Sequence, residues 1–344
     1  MHSLGFLVSP SASASSTSTT RRGALRSLLA PAAAGALAAA GLPAWANAYP
    51  ARPLKTVISF PPAGATDILA RLVAHKVGEK IGQSIMVENR PGAGGTLGLD
   101  AVARAPADGY SLYLAAVTNQ MIAGHLYPTK ADLQRDFVPV ALIANAPHLL
   151  IVNNEVPAKT MAEFVTWLRS KSGTVNFASQ GTGTLSHLES ELLLQRTGTQ
   201  AVHVPYKGSA MAVTDMLSGA VSFMFDSVAA SLPLIQAGKV RALAVASSTA
   251  VPAVPNLPTV TQAGVSGYDV DNWFGIYAPK GTPQAAVDLL AKATAEVLKE
   301  KSTIDELIAK GYVVTPGDGA KLAALTQADH RRWGEVIKTA KVSL

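Results

Sequence analysis

One unit recurs through this chain and limits its folds more than any other feature: a short β-rich run, a tight turn rich in small residues, then a stretch with helical period. Thr56-Val57-Ile58-Ser59-Phe60 is a run of strand formers, followed by the turn cluster Pro61-Pro62-Ala63-Gly64-Ala65-Thr66. From Asp67 the period changes, and Ile68, Leu69, Leu72, Val73, Val77 and Ile81 share one helical face until Gly82. The same order returns with Ser84–Glu88, the loop Asn89–Gly95, and a helix through Leu99, Val102 and Ala103. A further strand, Ser111–Val117, runs into Thr118-Asn119-Gln120. Such alternation puts strands in mixed, mostly parallel sheets with helices over their faces.

A second block starts near Leu149–Val152. Thr160 and Glu163 form a capping-box pair that opens a helix holding Phe164, Trp167 and Leu168. Strand Val175–Ala178, the loop Ser179–Thr184 and a helix through Leu188, Leu192 and Leu193 to Gly198 follow. Then come strands Ala201–Val204, Val221–Phe225 and Val240–Ala246, and a Pro-rich surface loop over Val251–Pro258. The last segment opens with strand Trp273–Ala278. Thr282 is positioned to cap a helix that has Pro283 at its first position, and strand Tyr312–Val314 and a long helix close the chain.

The front reads differently. Arg21-Arg22, the uncharged Ala/Leu/Gly-rich stretch to Leu42 and Ala46-Asn47-Ala48 have the layout of a secretory signal, and the arginine pair suggests the twin-arginine route, although Ala24 stands where Phe is usual. Pro31, Gly35, Gly41 and Pro43 argue against a membrane span, so cleavage after Ala48 and a soluble periplasmic protein are expected. Losing Arg21, Arg22 and Arg26 lowers the formal charge from +6 to +3, a mild balance without the clustered Lys/Arg and interleaved aromatics of a nucleic-acid binder. His330-Arg331-Arg332 reads as a solvated helix face. Cysteine is absent, which excludes thiolate metal sites and cysteine nucleophiles, and the seven histidines show no metal-ligand spacing. No metal and no cofactor are expected.

Four strand-to-helix or strand-to-turn loops are candidates for binding, because ligands of α/β sheets sit at carboxyl ends of strands, where helix N-termini offer free N–H groups. In the loop at 61–67, Gly64 allows close approach and Thr66 offers a hydroxyl, with Asp67 reading as a helix cap; a purely structural turn is the competing reading. The loop at 179–187 carries Ser179, Thr182, Thr184 and Ser186 before a helix whose first turn holds His187, either a ligand contact or a packing histidine. Gly92–Gly98 misses a dinucleotide fingerprint by one residue and reads as a tight turn. Met211 and Met216 read as core. Ser186, His187 and Asp226 leave an exported hydrolase as the alternative function, without a Gly-x-Ser-x-Gly elbow to mark a nucleophile.

Taken in order, Phe60–Asp67 (FPPAGATD), Val87–Gly95 (VENRPGAGG), Ala107–Tyr110 (ADGY), Gly181–Leu188 (GTGTLSHL), Val204–Gly208 (VPYKG) and Phe225-Asp226 resemble the Bug-type periplasmic receptors of tripartite tricarboxylate transporters, over residues 50–342. The resemblance implies a non-enzymatic, monomeric protein with the two-domain type II periplasmic binding protein fold. It captures a small carboxylate and delivers it to a membrane permease, or in some members addresses a sensor kinase. It implies crossings near 146–152 and 268–274, hence one domain of 49–149 plus 273–344 and a second of 150–272. Carried over, Ala63, Gly64, Ala65 and Thr66 form one lip and Gly181, Thr182, Gly183, Thr184 and His187 the other. Tyr206, Asp226, Ser227, Thr118 and Asn119 line the distal part. Ala63 replaces a usual glycine, which is tolerated if its φ is negative. Thr182, Leu185 and Ser227 replace smaller or more polar residues and suggest a partly apolar carboxylate.

Overall fold

The computed structural model describes residues 49–268, 270–340 and 342, so the expected export segment and its cleavage point lie outside the described residues. The chain runs β1 (Leu54–Ile58), α1 (Ala65–Ile81), β2 (Ile85–Asn89), α2 (Thr96–Ala103), β3 (Ser111–Ala116), α3 (Val117–Leu126) and β4 (Phe137–Asn145). It continues as β5 (His148–Asn153), α4 (Met161–Lys171), β6 (Asn176–Ser179), α5 (Leu185–Thr197), β7 (Val202–Pro205), α6 (Ser209–Leu217), β8 (Phe223–Ser227), α7 (Val228–Gln236) and β9 (Val240–Ala246). It ends with β10 (Trp273–Pro279), α8 (Gln284–Val297), α9 (Lys301–Ala309), β11 (Val313–Asp318) and α10 (Gly319–Ala340).

Two sheets result, a six-stranded one in the order β11-β4-β10-β3-β1-β2 and a five-stranded one in the order β7-β6-β8-β5-β9. Both are mixed, but among the described residues the parallel pairings, β1 with β2 and β3 and β6 with β7 and β8, are fewer than the antiparallel ones. The strands beside each crossing account for this. β4 and β10 lie antiparallel in one sheet, and β5 and β9 do so in the other.

The helices follow the local chemistry. α1 ends where Gly82 turns left-handed at φ 70° and returns its N–H to Gly78 O. α4 has the full capping box between Thr160 and Glu163. Thr282 differs from expectation: its hydroxyl donates back to Pro279 O at 2.7 Å, and Pro283, with ψ 133°, precedes the first turn of α8 as its cap position. β4, the longest strand, was not anticipated, because Pro139 and an unbroken apolar run obscure its period. Its residues divide between two cores, Leu142 facing one and Val140, Ile143 and Ala144 the other. β5 divides likewise, Leu150 and Val152 against Leu149 and Ile151, so a strand buried on both faces carries no alternation.

The chain passes from the first sheet to the second through Ala146-Pro147 and returns through residues 247–272. The crossings are bonded side by side. Ala146 N donates to Asn272 O at 2.9 Å, Asn272 N to Asn145 Oδ1 at 2.8 Å, and Asn145 Nδ2 to Asp271 Oδ1 at 2.6 Å. No helix among the described residues is long and apolar enough to cross a membrane.

Candidate functional site

The first candidate lip begins where β1 ends. Gly64 is the N-cap of α1 and, lacking a side chain, leaves the first N–H groups of that helix without a side-chain cap. Before it, Ala63 has φ 67°, so the condition set on its replacing glycine is not met. The strained turn instead lets Ala63 N donate to Asp67 Oδ2 at 3.1 Å. Asp67 therefore anchors the loop and does not cap α1 at Gly64. Burial acts against its charge, but the Arg71 guanidinium and the Asn89 amide hold its carboxyl below the usual range.

Opposite lies the turn from β7 into α6. Gly208, N-cap of α6, also has no side chain to cap it, with φ 112° and ψ 172°. Between the two uncapped helix starts is a cavity of about 200 Å³, with Pro61, Gly64, Ala65 and Thr66 on one side and Gln180, Lys207, Gly208, Ser209, Ala210 and Met211 on the other. Asn119 of α3, His148 at the start of β5, Asn272 of the return crossing and Phe274 of β10 complete it. Two helix N-termini at one small space, with the exposed Lys207 among its lining residues, favour an anion with oxygen acceptors. Met211 is exposed and lines this cavity, whereas Met216 is the core residue of the pair.

Gly181, Thr182 and Thr184 lie in a neighbouring cavity of about 390 Å³, with Tyr206 and the Gly92–Gly95 turn; it shares Phe60, Pro61, Gln180, Lys207 and Gly208 with the first. The start of α5 is occupied by protein, because Asn119 Oδ1 accepts from Leu185 N at 2.8 Å. Tyr127, at the end of α3, donates to Thr182 O at 2.6 Å, a second bond between the two sides. Tyr206 donates to Asp215 at 2.6 Å, and burial together with that carboxylate pushes its hydroxyl up to about 12.

The remaining candidates support the lips from behind and line neither cavity. Asp226 is fully buried and accepts from Gln180 Nε2 at 2.8 Å, Ser209 Oγ at 2.7 Å and Ser231 Oγ at 2.8 Å, so it positions two residues of the first cavity. Ser227 caps α7 through Ala230 N, and Thr118 donates to Asp329 Oδ2 at 2.7 Å. Leu185 is fully buried, so neither it nor Ser227 makes a pocket wall apolar. Gly183 N donates to His187 Nδ1 at 3.2 Å, and the His187 ring stacks on His203 with centroids 3.8 Å apart. Burial and that neighbour push His203 down to about 4.

A hydrolytic relay is not assembled. Ser186 Oγ accepts from Gln180 N at 2.9 Å, the His187 ring meets Gly183 and Glu191, and the Asp226 carboxylate serves Gln180 and two serines. Sequence reasoning missed Lys207–Met211, although Gly208 before a helix is the same signal as Gly64. It also missed His148 and Asn272, which only the folded crossings bring together.

Residues 69–342 match the model of the tripartite tricarboxylate transporter family receptor. Protein BugT of Bordetella pertussis is 33% identical over 312 residues, covering 90% of this chain and 96% of that protein. Among solved structures, R. palustris Rpa4515 with adipate is similar at TM-score 0.82 and 34% identity, over 86% of this chain and 99% of that one. Rhodopseudomonas palustris MatC with bound malate gives TM-score 0.78 and 33% identity, over 84% and 100%. The chain has the type II periplasmic binding protein fold, and by sequence and fold together it belongs to the Bug-type receptors of the tripartite tricarboxylate transporter family.

Proposed function

We propose that the chain is a periplasmic solute-binding protein that takes up a small carboxylate between its two sheets and presents it to a membrane permease, without catalysing a reaction. The observation that carries this reading is the pair of uncapped helix starts, α1 at Gly64 and α6 at Gly208, facing one cavity of about 200 Å³. A carboxylate oxygen between them accepts N–H bonds from both sides at once, so its binding free energy is released only when the lips meet. Lys207 adds charge at the rim. The adipate and malate complexes of the neighbours support a dicarboxylate of about four to six carbons, within the small-molecule range of sites this size.

In this reading 49–149 with 273–344 and 150–272 act as two lobes of a monomer, hinged at Ala146-Pro147 and at the return crossing. The proposed contacts are Gly64, Ala65, Thr66, Gly208, Ser209 and Ala210, with Asn119 and Thr182 bonded across the cleft. Calorimetric titration of the protein, refolded free of carried-over ligand, with mono-, di- and tricarboxylates and their neutral amides tests the reading. One carboxylate should bind with unit stoichiometry and raise the unfolding free energy by about 2.7 kcal/mol at 100 times its Kd. Equal binding of the amides, or turnover of the corresponding esters, contradicts it.

A further inference from the structure

Thr118, in the first turn of α3, meets more acceptors than it has hydrogens. The side chain is buried, and its Oγ lies 2.7 Å from Asp329 Oδ2 of α10 and 3.1 Å from the backbone oxygen of Asp271 on the return crossing. A hydroxyl has one hydrogen to give. With Asp329 ionised, the closer carboxylate takes it and the Asp271 carbonyl loses its donor in α3. With Asp329 protonated, the carboxyl donates to Thr118 Oγ, and the threonine hydrogen turns to Asp271 O. One proton thus decides whether α3 is bonded to the crossing.

The surroundings place that proton within reach of mildly acid pH. Burial pushes the Asp329 carboxyl up to about 6, against the opposing pull of the Thr118 hydroxyl and of the Arg332 guanidinium on its own helix. The Asp271 carboxylate on the crossing adds to the rise. On β10 the Tyr277 hydroxyl is itself raised by burial, so it stays neutral over this range and adds no charge.

Asp271 is also where the crossings are gathered. Its carboxylate accepts from Asn145 Nδ2 at the end of β4, and from Ser247 Oγ and Ser248 Oγ, which follow β9, at 3.5 Å and 3.2 Å. One residue after Thr118, Asn119 Oδ1 accepts from Leu185 N of the facing sheet's helix. The same turn of α3 therefore holds both the return crossing and the opposite side of the cleft. Resting on the two-lobe reading above, we propose that Thr118 and Asp329 form a proton-operated latch on the return crossing: with the proton bound the latch holds the lips together, and with the proton lost the crossing is released.

The test uses the absence of cysteine from the chain, which lets two spin labels be placed without background. Leu97→Cys on α2 and Leu217→Cys on α6 are exposed positions on the two lobes. Double electron–electron resonance on the labelled, ligand-free chain reads the ratio of lips-together to lips-apart distances at about pH 5 and about pH 7.5. The ratio should fall about three- to ten-fold from the lower to the higher pH, the effect of one hydrogen bond. In Asp329→Asn, which cannot ionise, and in Thr118→Val, which has no hydrogen to share, it should be the same at both. An unchanged ratio in the native sequence, or a shift of native size in either variant, overturns the inference alone. One narrow distance at both pH values in every variant overturns the two-lobe reading and the inference with it. Should Asp329→Asn fail to fold, Thr118→Val decides.

Discussion

Gly208→Ala puts a methyl group where the two lips meet, and its two costs separate folding from closure. The backbone at φ 112° and ψ 172° lies in a region that only glycine occupies readily, so the strain is about 1–3 kcal/mol whether or not ligand is present. The added Cβ would also stand 3.0 Å from Pro61 Cγ and 3.4 Å from Cδ, atoms of a ring that cannot rotate aside. If the lips part in the ligand-free protein, as proposed, that contact is felt only on closure and weakens ligand binding beyond any loss of stability. Urea unfolding of the ligand-free protein should show a loss of about 1–3 kcal/mol. Calorimetry on the same preparation should show affinity down about ten-fold, the effect of an overpacked contact of about 1.4 kcal/mol. Gly82→Ala is the control, since Gly82 has φ 70° but nothing within 4 Å of an added Cβ. It should lose about 1 kcal/mol of stability and keep its affinity. Native affinity in Gly208→Ala, or an equal affinity loss in Gly82→Ala, would refute the reasoning.

Three smaller perturbations follow from the same geometry. Tyr127→Phe removes the bond to Thr182 O across the cleft and should raise Kd about three- to ten-fold with little change in ligand-free unfolding, as read by calorimetry and urea titration. Ala63→Gly relieves a left-handed alanine at φ 67° and should stabilise the chain by about 0.5–1 kcal/mol in urea; a loss would show that the loop depends on the methyl group. Burial pushes Asp329 up to about 6, so the folded chain holds that proton more tightly than the unfolded one, and the stability it contributes below pH 4 is lost as pH rises to about 6. Asp329→Asn still accepts from Thr118 but cannot ionise; urea unfolding should find it about 2–3 kcal/mol more stable than the native chain at pH 7 and similar at pH 4.

Local signals carried much of this fold. Gly82 after a 3.6-period face, and Thr160 with Glu163, mark helix ends whose determinants lie within a few residues, so they are readable without the fold. β4 was not readable, because residues buried on both faces leave no alternation and Pro139 points away from a strand. The open start of α1 was legible for a local reason, a glycine before a helix. The facing open start lies on α6 and not on α5. Thr182 and Thr184 have the more suggestive side chains, but Asn119 of α3 takes the first N–H of α5, leaving α6 with the open helix start. Asp226 was placed at the ligand by the family resemblance alone, yet three donors already surround it. His148 and Asn272 are 124 residues apart and meet only through the paired crossings, so sequence gives no hint of them.

The most direct test of the two-helix carboxylate site is a crystal structure of the chain with a dicarboxylate that binds in calorimetry. A carboxylate oxygen should lie about 2.7–3.2 Å from backbone N–H groups at the start of α1, Ala65 or Thr66, and at the start of α6, Ser209 or Ala210. A carboxylate held instead between the Gly92–Gly95 turn and Thr182, with both helix starts facing solvent, would contradict the account.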